Sequence, residues 1–256
     1  MYNTKLKIYP DGTIKRTVCN APIFNAETTE KITEDEDIPV TLSTDIDKIL
    51  DYAMSKLVSY LLDDTSLIAN KARAQARARA SIYDLCMCNN FKYFLTITLD
   101  QNKIESRENM FIIQKKLNTW LSNMVSRYDA KYICVPEHHA DGVSVHFHAL
   151  MSGNLRLKDS GHKTKDGRKI YNLDQWKYGF STCIEIDENY EACVKYIIKY
   201  ITKNVEKIGG RWYLHGGNLI KPEQMFCNIN PDEWEKAFSS GDIFNPAGTS
   251  LQFIFD

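Results

Sequence analysis

The chain has 256 residues, 43% of them hydrophobic and 25% charged, enough to bury one large core or one core with an appendage. A formal net charge of −1 selects no partner by itself, and seven cysteines, an odd number without a C-x-x-C pair, exclude a disulfide framework. No apolar run approaches a membrane span and residues 1–10 lack a secretory pattern, so a reducing cytoplasm with no membrane partner is the expected setting.

Along the chain, Lys5–Tyr9 and Thr13–Val18 flank Pro10-Asp11-Gly12 and read as a hairpin. A polar, acidic stretch with two prolines follows to about Thr44 and reads as loop. Helices are expected from Asp45 to about Leu62 and from about Ser66 to Cys88. Residues 27–64 hold eleven acidic side chains against Lys31, Lys48 and Lys56, whereas residues 71–79 carry Lys71, Arg73, Arg77 and Arg79 and no acid. Residues 151–180 and 195–211 are each +4. A polyanion should therefore meet residues 71–79 and the second half of the chain, although a solvated helix face explains 71–79 equally well.

Phe91–Leu99 alternates as a strand, with Tyr93, Leu95, Ile97 and Leu99 apolar and Thr96 and Thr98 among the even positions. Arg107–Arg127 reads as an amphipathic helix. Lys131–Val135 reads as a short strand stopped by Pro136, and Val143–Met151 as its successor after the turn signal Asp141-Gly142. Residues 152–175 read as an exposed loop or flap, Phe180–Ile186 as a strand, and Glu188–Asn204 as a helix ended by Gly209-Gly210. A short helix is expected after Asn230-Pro231.

Within Val143–Met151, Val143, Val145, Phe147, Ala149 and Met151 are apolar, which places Ser144, His146 and His148 together on the opposite face. Two imidazoles on one rigid strand make half of a metal site. Glu137, nine residues before His146, is the third ligand if the two strands pair antiparallel, and His139 is the alternative. In a regular strand Glu137 shares a face with Ile133 and Val135, so Pro136 is expected to bend the strand end. One oxygen and two nitrogen ligands suit Mn²⁺ or Mg²⁺ beside a phosphate, and can also hold Zn²⁺.

The Glu188–Asn204 helix carries an apolar stripe of Cys193, Val194, Ile197, Ile198 and Ile201. At the helical period Tyr196 and Tyr200 lie roughly 90–130° from its centre, off the core face, with Lys199 and Lys203 each three positions beyond a tyrosine. Only about one free phenol in a thousand is ionised at neutral pH, so a nucleophilic tyrosine benefits from a nearby cation.

With these residues assembled, the chain resembles the HUH endonuclease superfamily, in particular the rolling-circle replication initiators of small phages and plasmids. Phe94-Leu95-Thr96-Ile97-Thr98-Leu99-Asp100 is similar to the first motif. Residues Val135 to Gly142, leading into His146-Phe147-His148, resemble the metal motif. Tyr196–Lys203 resembles the two-tyrosine nucleophile motif, and the likeness spans about residues 90–205. The resemblance implies an α+β fold with a central antiparallel sheet of about five strands and packed helices. It divides the chain into an accessory region (residues 1–89), a nicking domain (90–208) and a C-terminal tail packed on it (209–256). It implies His146, His148 and Glu137 as ligands for Mn²⁺ or Mg²⁺, Tyr196 and Tyr200 as nucleophiles, and Lys199 and Lys203 as assisting cations. The activity it implies is metal-assisted nicking and rejoining of single-stranded DNA at a replication origin through a 5′-phosphotyrosine. Trp176, Tyr178 and Phe180 are candidates for gripping that strand by stacking. The chain has no G-x-x-x-x-G-K-[ST] phosphate loop, so a host helicase and polymerase are expected partners.

A two-tyrosine transposase keeps the same motif order and is the nearest alternative; a DNA-binding regulator that no longer nicks is another. A conjugative relaxase normally places its tyrosines before the histidines, and a cupin-like barrel expects its Glu and a further His downstream at a spacing this chain lacks.

Overall fold

The computed structural model describes residues 2–23, 68–106, 108–138, 144–203, 207, 209–228, 243–244 and 251–254. Strands are β1 (Tyr2–Ile8), β2 (Ile14–Ile23), β3 (Tyr93–Leu99), β4 (Lys131–His138), β5 (Val145–Ser152), β6 (Leu157–Lys163), β7 (Lys169–Leu173), β8 (Gly179–Glu185), β9 (Leu214–Gly216), β10 (Glu223–Cys227), β11 (Ile243–Phe244) and β12 (Leu251–Ile254). Helices are α1 (68–88), α2 (Met110–Tyr128) and α3 (Tyr190–Lys203). The expected helix at 45–62, the acidic loop before it and the helix after Pro231 lie outside the described residues. Among the described residues no helix is long and apolar enough to cross a membrane.

The fold is α+β. Its main sheet has seven strands in the order β6-β7-β8-β3-β5-β4-β9, and neighbouring strands run antiparallel. The sequence leads one to expect about five. The surplus comes from β9, which pairs Leu214 to Gly216 against β4, and from residues 152–175, which form the β6–β7 hairpin instead of a flap. Alternation is weak in that hairpin because most of its residues are exposed, so no buried face writes a period into the sequence. A second sheet, β10-β1-β2-β12-β11, joins the N-terminal hairpin to strands of the C-terminal tail.

Both faces of the main sheet are covered. On one, α2 lays Ile113, Leu117, Trp120, Leu121 and Met124 over Leu95, Ile97, Cys134, Phe147, Ala149 and Met151. Asn109 caps α2 by accepting from the amides of Phe111 and Ile112, and Asp129 closes it in the left-handed region (φ 49°). On the other face, Ile82, Leu85 and Cys86 of α1 and Val194, Ile197, Tyr200 and Ile201 of α3 pack on Ile133, Val135 and Leu150. Each such apolar side chain contributes about 1.5–3 kcal/mol on burial.

This second layer corrects two sequence expectations. Ile133 and Val135 face α3, not α2, so Glu137 shares their face without any bend. The β4–β5 register runs without a shift from Lys131↔Ser152 to His138↔Val145, straight through Pro136. Proline is tolerated there because β9 pairs only with Tyr132 to Cys134, so its missing N–H falls beyond that ladder.

The layer is tied together by polar contacts. Tyr190, at the start of α3, donates its hydroxyl to the Cys86 carbonyl (2.8 Å) and accepts from the Phe91 amide (3.1 Å). The buried Asp84 of α1 accepts from Lys7 and from the Tyr9 hydroxyl, anchoring the small sheet.

Candidate active site

Antiparallel register builds the site before any side-chain detail is needed, because directly opposed residues share a face. One cross-strand row on the α3 face reads Phe180, Thr98, His146, Glu137; the next reads Thr182, Thr96, His148, Val135. Two imidazoles and one carboxylate therefore stand side by side on two adjacent strands, with the threonines of a third beside them.

The contacts are specific. Glu137 Oε2 lies 2.7 Å from His148 Nε2. On the far side of each ring stands a threonine hydroxyl of β3: Thr96 Oγ1 is 3.1 Å from His148 Nδ1, and Thr98 Oγ1 is 3.3 Å from His146 Nδ1. With the carboxylate accepting, Nε2 of His148 carries the proton and Thr96 donates to Nδ1. A hydroxyl can equally accept, so the same threonine can hold the ring when Nδ1 carries the proton and Nε2 presents a lone pair. Hydrogen-bonded partners behind histidine rings are how ligating imidazoles are oriented in metal sites.

Helix α3 lies over this row. The Tyr200 ring stacks on His148, centroids 3.8 Å apart and planes 7° from parallel. Tyr196 stands edge-on to Tyr200 at 5.2 Å, and Phe94 of β3 touches both His148 (6.0 Å) and Tyr196 (5.5 Å). Tyr196 is 50% exposed and Tyr200 only 4%. The expectation that both tyrosines lie off the core face thus holds for one of them. Tyr200 follows Ile197 by three positions and joins the buried group with Val194 and Ile201, as the i, i+3, i+4, i+7 pattern permits.

Burial pushes the Tyr200 phenol well above its ordinary value, and a hydrogen bond with Tyr196 and the charges of Tyr196 and Glu137 act in the same direction. This is opposite to the lowering expected from a neighbouring lysine. Lys199 is half-buried on the same helix; the side chain of Lys203, and all of His139, lie outside the described residues.

Glu137, His146 and His148 are the side chains that could hold a divalent cation. Among the described residues no group of three His, Cys, Asp or Glu side chains already stands at metal-holding spacing, since Glu137 is engaged directly with His148. The donor chemistry nevertheless suits such an ion: two neutral imidazole nitrogens and one carboxylate, with hydroxyls behind both rings.

Sequence reading brings together Glu137, His146, His148, Tyr196 and Tyr200, and the structure places all five at one end of one sheet face. It gives no role to Thr96, Thr98 and Phe94. Their signal is present in the alternation of β3, but only the β3–β5 register assigns each threonine to a particular histidine.

Residues 92–205, less than half of the chain, match a family model described as a replication-associated protein of the ORF2 type. That match supports a replication-initiator family and a role in DNA replication. Neither a curated protein nor a solved structure matches the chain.

Proposed function

We propose that the protein is a rolling-circle replication initiator that nicks and rejoins single-stranded DNA at an origin, forming a 5′-phosphotyrosine on α3. The observation that carries this reading is the 3.8 Å stacking of Tyr200 on His148, with Tyr196 beside it and Glu137 on the same imidazole. A nucleophile must lie within reach of the group that polarises its target, and here both belong to one cluster.

Glu137, His146 and His148 would bind Mn²⁺ or Mg²⁺, which polarises the scissile phosphate and offsets the charge building on it. Thr96 and Thr98 orient the two rings. A tyrosine oxygen bonds to phosphorus, the bond to the 3′ oxygen breaks, and the phenolic proton is accounted for on the released 3′-hydroxyl, which primes synthesis. Tyr196, the exposed one, is open to an incoming strand, while Tyr200 sits against the imidazole. Two tyrosines allow one to attack a new junction while the other remains loaded, so strands are exchanged alternately. Lys199 and Lys203 supply cations near the departing DNA.

The test is a labelled single-stranded origin oligonucleotide incubated with protein and Mn²⁺. A covalent protein–DNA band is expected, lost in the Tyr196→Phe/Tyr200→Phe double variant and nearly lost in His146→Ala. A band that survives in the double variant would place the nucleophile elsewhere.

A further inference from the structure

Of the three aromatics that the sequence offers for gripping a strand, Trp176 is buried against Trp120 at 5.0 Å and donates its indole N–H to the Thr98 carbonyl (3.2 Å). Tyr178 is half-buried at the edge of the same core, 5.4 Å from Trp176. Both are structural. Phe180 is different. It is 66% exposed, among the most exposed large hydrophobic side chains described, and it heads the row that continues through Thr98 to His146 and Glu137.

We infer that Phe180 is a stacking platform for a base of single-stranded DNA, the nucleotide next to the phosphate held at His146, with Lys103 taking a neighbouring phosphate. This deepens the proposed nicking function and rests on it. Adjacent strands are about 4.8 Å apart, so Phe180, two strands from His146, stands about one nucleotide's reach from the ring. Lys103 Nζ lies 5.8 Å from the Phe180 ring centroid. Its loop is set by Asp100, whose carbonyl accepts from the Lys103 amide (2.9 Å) and whose carboxylate accepts from the Asn102 amide (3.0 Å). An aromatic face with an ammonium beside it is the pairing that sequence-tolerant strand binders use, since every base offers a π-face and every linkage a charge.

The backbone fixes this platform. Gly179 pairs with Leu99 so closely that a Cβ at 179 would overlap the Thr98 carbonyl oxygen. A glycine is therefore required one residue before Phe180, at the point where β8 enters the row. An exposed phenylalanine held at a set position by its neighbours loses little freedom when a base settles on it. That is a property of a binding surface, not of an accidental exposure.

The test uses fluorescent oligothymidylate of roughly twenty nucleotides, longer than the site of a typical strand-binding fold, and a version carrying 5-iododeoxyuridine for photocrosslinking. Phe180→Ala should weaken binding about ten-fold, Phe180→Trp should stay within about three-fold of wild type, and the crosslinked peptide should contain residue 180. Lys103→Ala should lower the salt dependence by about one phosphate contact. Equal affinity of wild type and Phe180→Ala, or a crosslink confined to another peptide, would overturn the platform. Formation of the tyrosine-dependent covalent band by wild type on the origin oligonucleotide, run alongside, would show that the nicking function stands without it. Absence of both strand binding and the band in wild type would remove both.

Discussion

The two faces of the main sheet are made by the same strands and do different work. On the α2 face, Leu95, Ile97, Phe147, Ala149 and Met151 meet a helix that is apolar wherever it touches them. On the α3 face the alternate residues begin the same way, with Leu150 and Ile133 under Ile197 and Ile201, and then change to threonine, histidine and glutamate toward one end. A rigid site therefore needs no framework of its own. One face holds the strands in register, and that register positions whatever chemistry the other face carries.

If that division holds, Phe147→Ala should be the most damaging single change. It removes a buried ring from the α2 face directly between the two histidines and should destabilise the fold by about 3–5 kcal/mol, read as a lower urea midpoint at unchanged slope. Activity should then fall only with the folded fraction. A loss of activity in protein shown to be fully folded would mean that the faces are not separable.

Thr96→Val probes the other side with a smaller effect. The substitution keeps shape but removes the hydroxyl 3.1 Å from His148 Nδ1. Loss of such a partner typically weakens metal affinity about 10–100-fold, so the Mn²⁺ concentration for half-maximal adduct should rise by that order while the urea midpoint stays nearly constant. An unmoved Mn²⁺ midpoint would assign the orientation of that ring to Glu137 alone.

The smallest effect is expected on the outward side of α3. Lys195 pairs with Glu191 at 2.9 Å, both exposed, one helical turn apart. Lys195→Ala should cost no more than about 0.3–0.5 kcal/mol and leave the adduct unchanged. A large loss of either would show that this surface, too, belongs to the site.

The candidate site is largely legible in the sequence because its chemistry is written in short local patterns. His146-Phe147-His148 needs only the two-residue period of a strand, and Tyr196 to Lys203 only the period of a helix. Sequence and structure part where a second layer intervenes. A bend at Pro136 follows only if Ile133 and Val135 join the core of Phe147. Strand alternation marks two faces but does not say that one of them is bare, and here α1 and α3 cover the second. Tyr200 differs for the same reason: a phenol at the margin of an apolar stripe is buried or exposed according to what lies opposite, and opposite it lies His148. The β6–β7 hairpin escapes sequence reading because neither of its faces is buried enough to impose alternation.

By itself the sequence determined the local periods, the strand–helix order around the motifs and the identity of the candidate donors and nucleophiles, because each depends on residues a few positions apart. Tertiary structure alone decided which threonine stands behind which histidine, that Tyr200 is buried while Tyr196 is open, and that Phe180 rather than Trp176 or Tyr178 meets solvent. Those outcomes depend on strand register and on packing between segments tens of residues apart, where the energy of a contact belongs to both partners and neither segment encodes it alone.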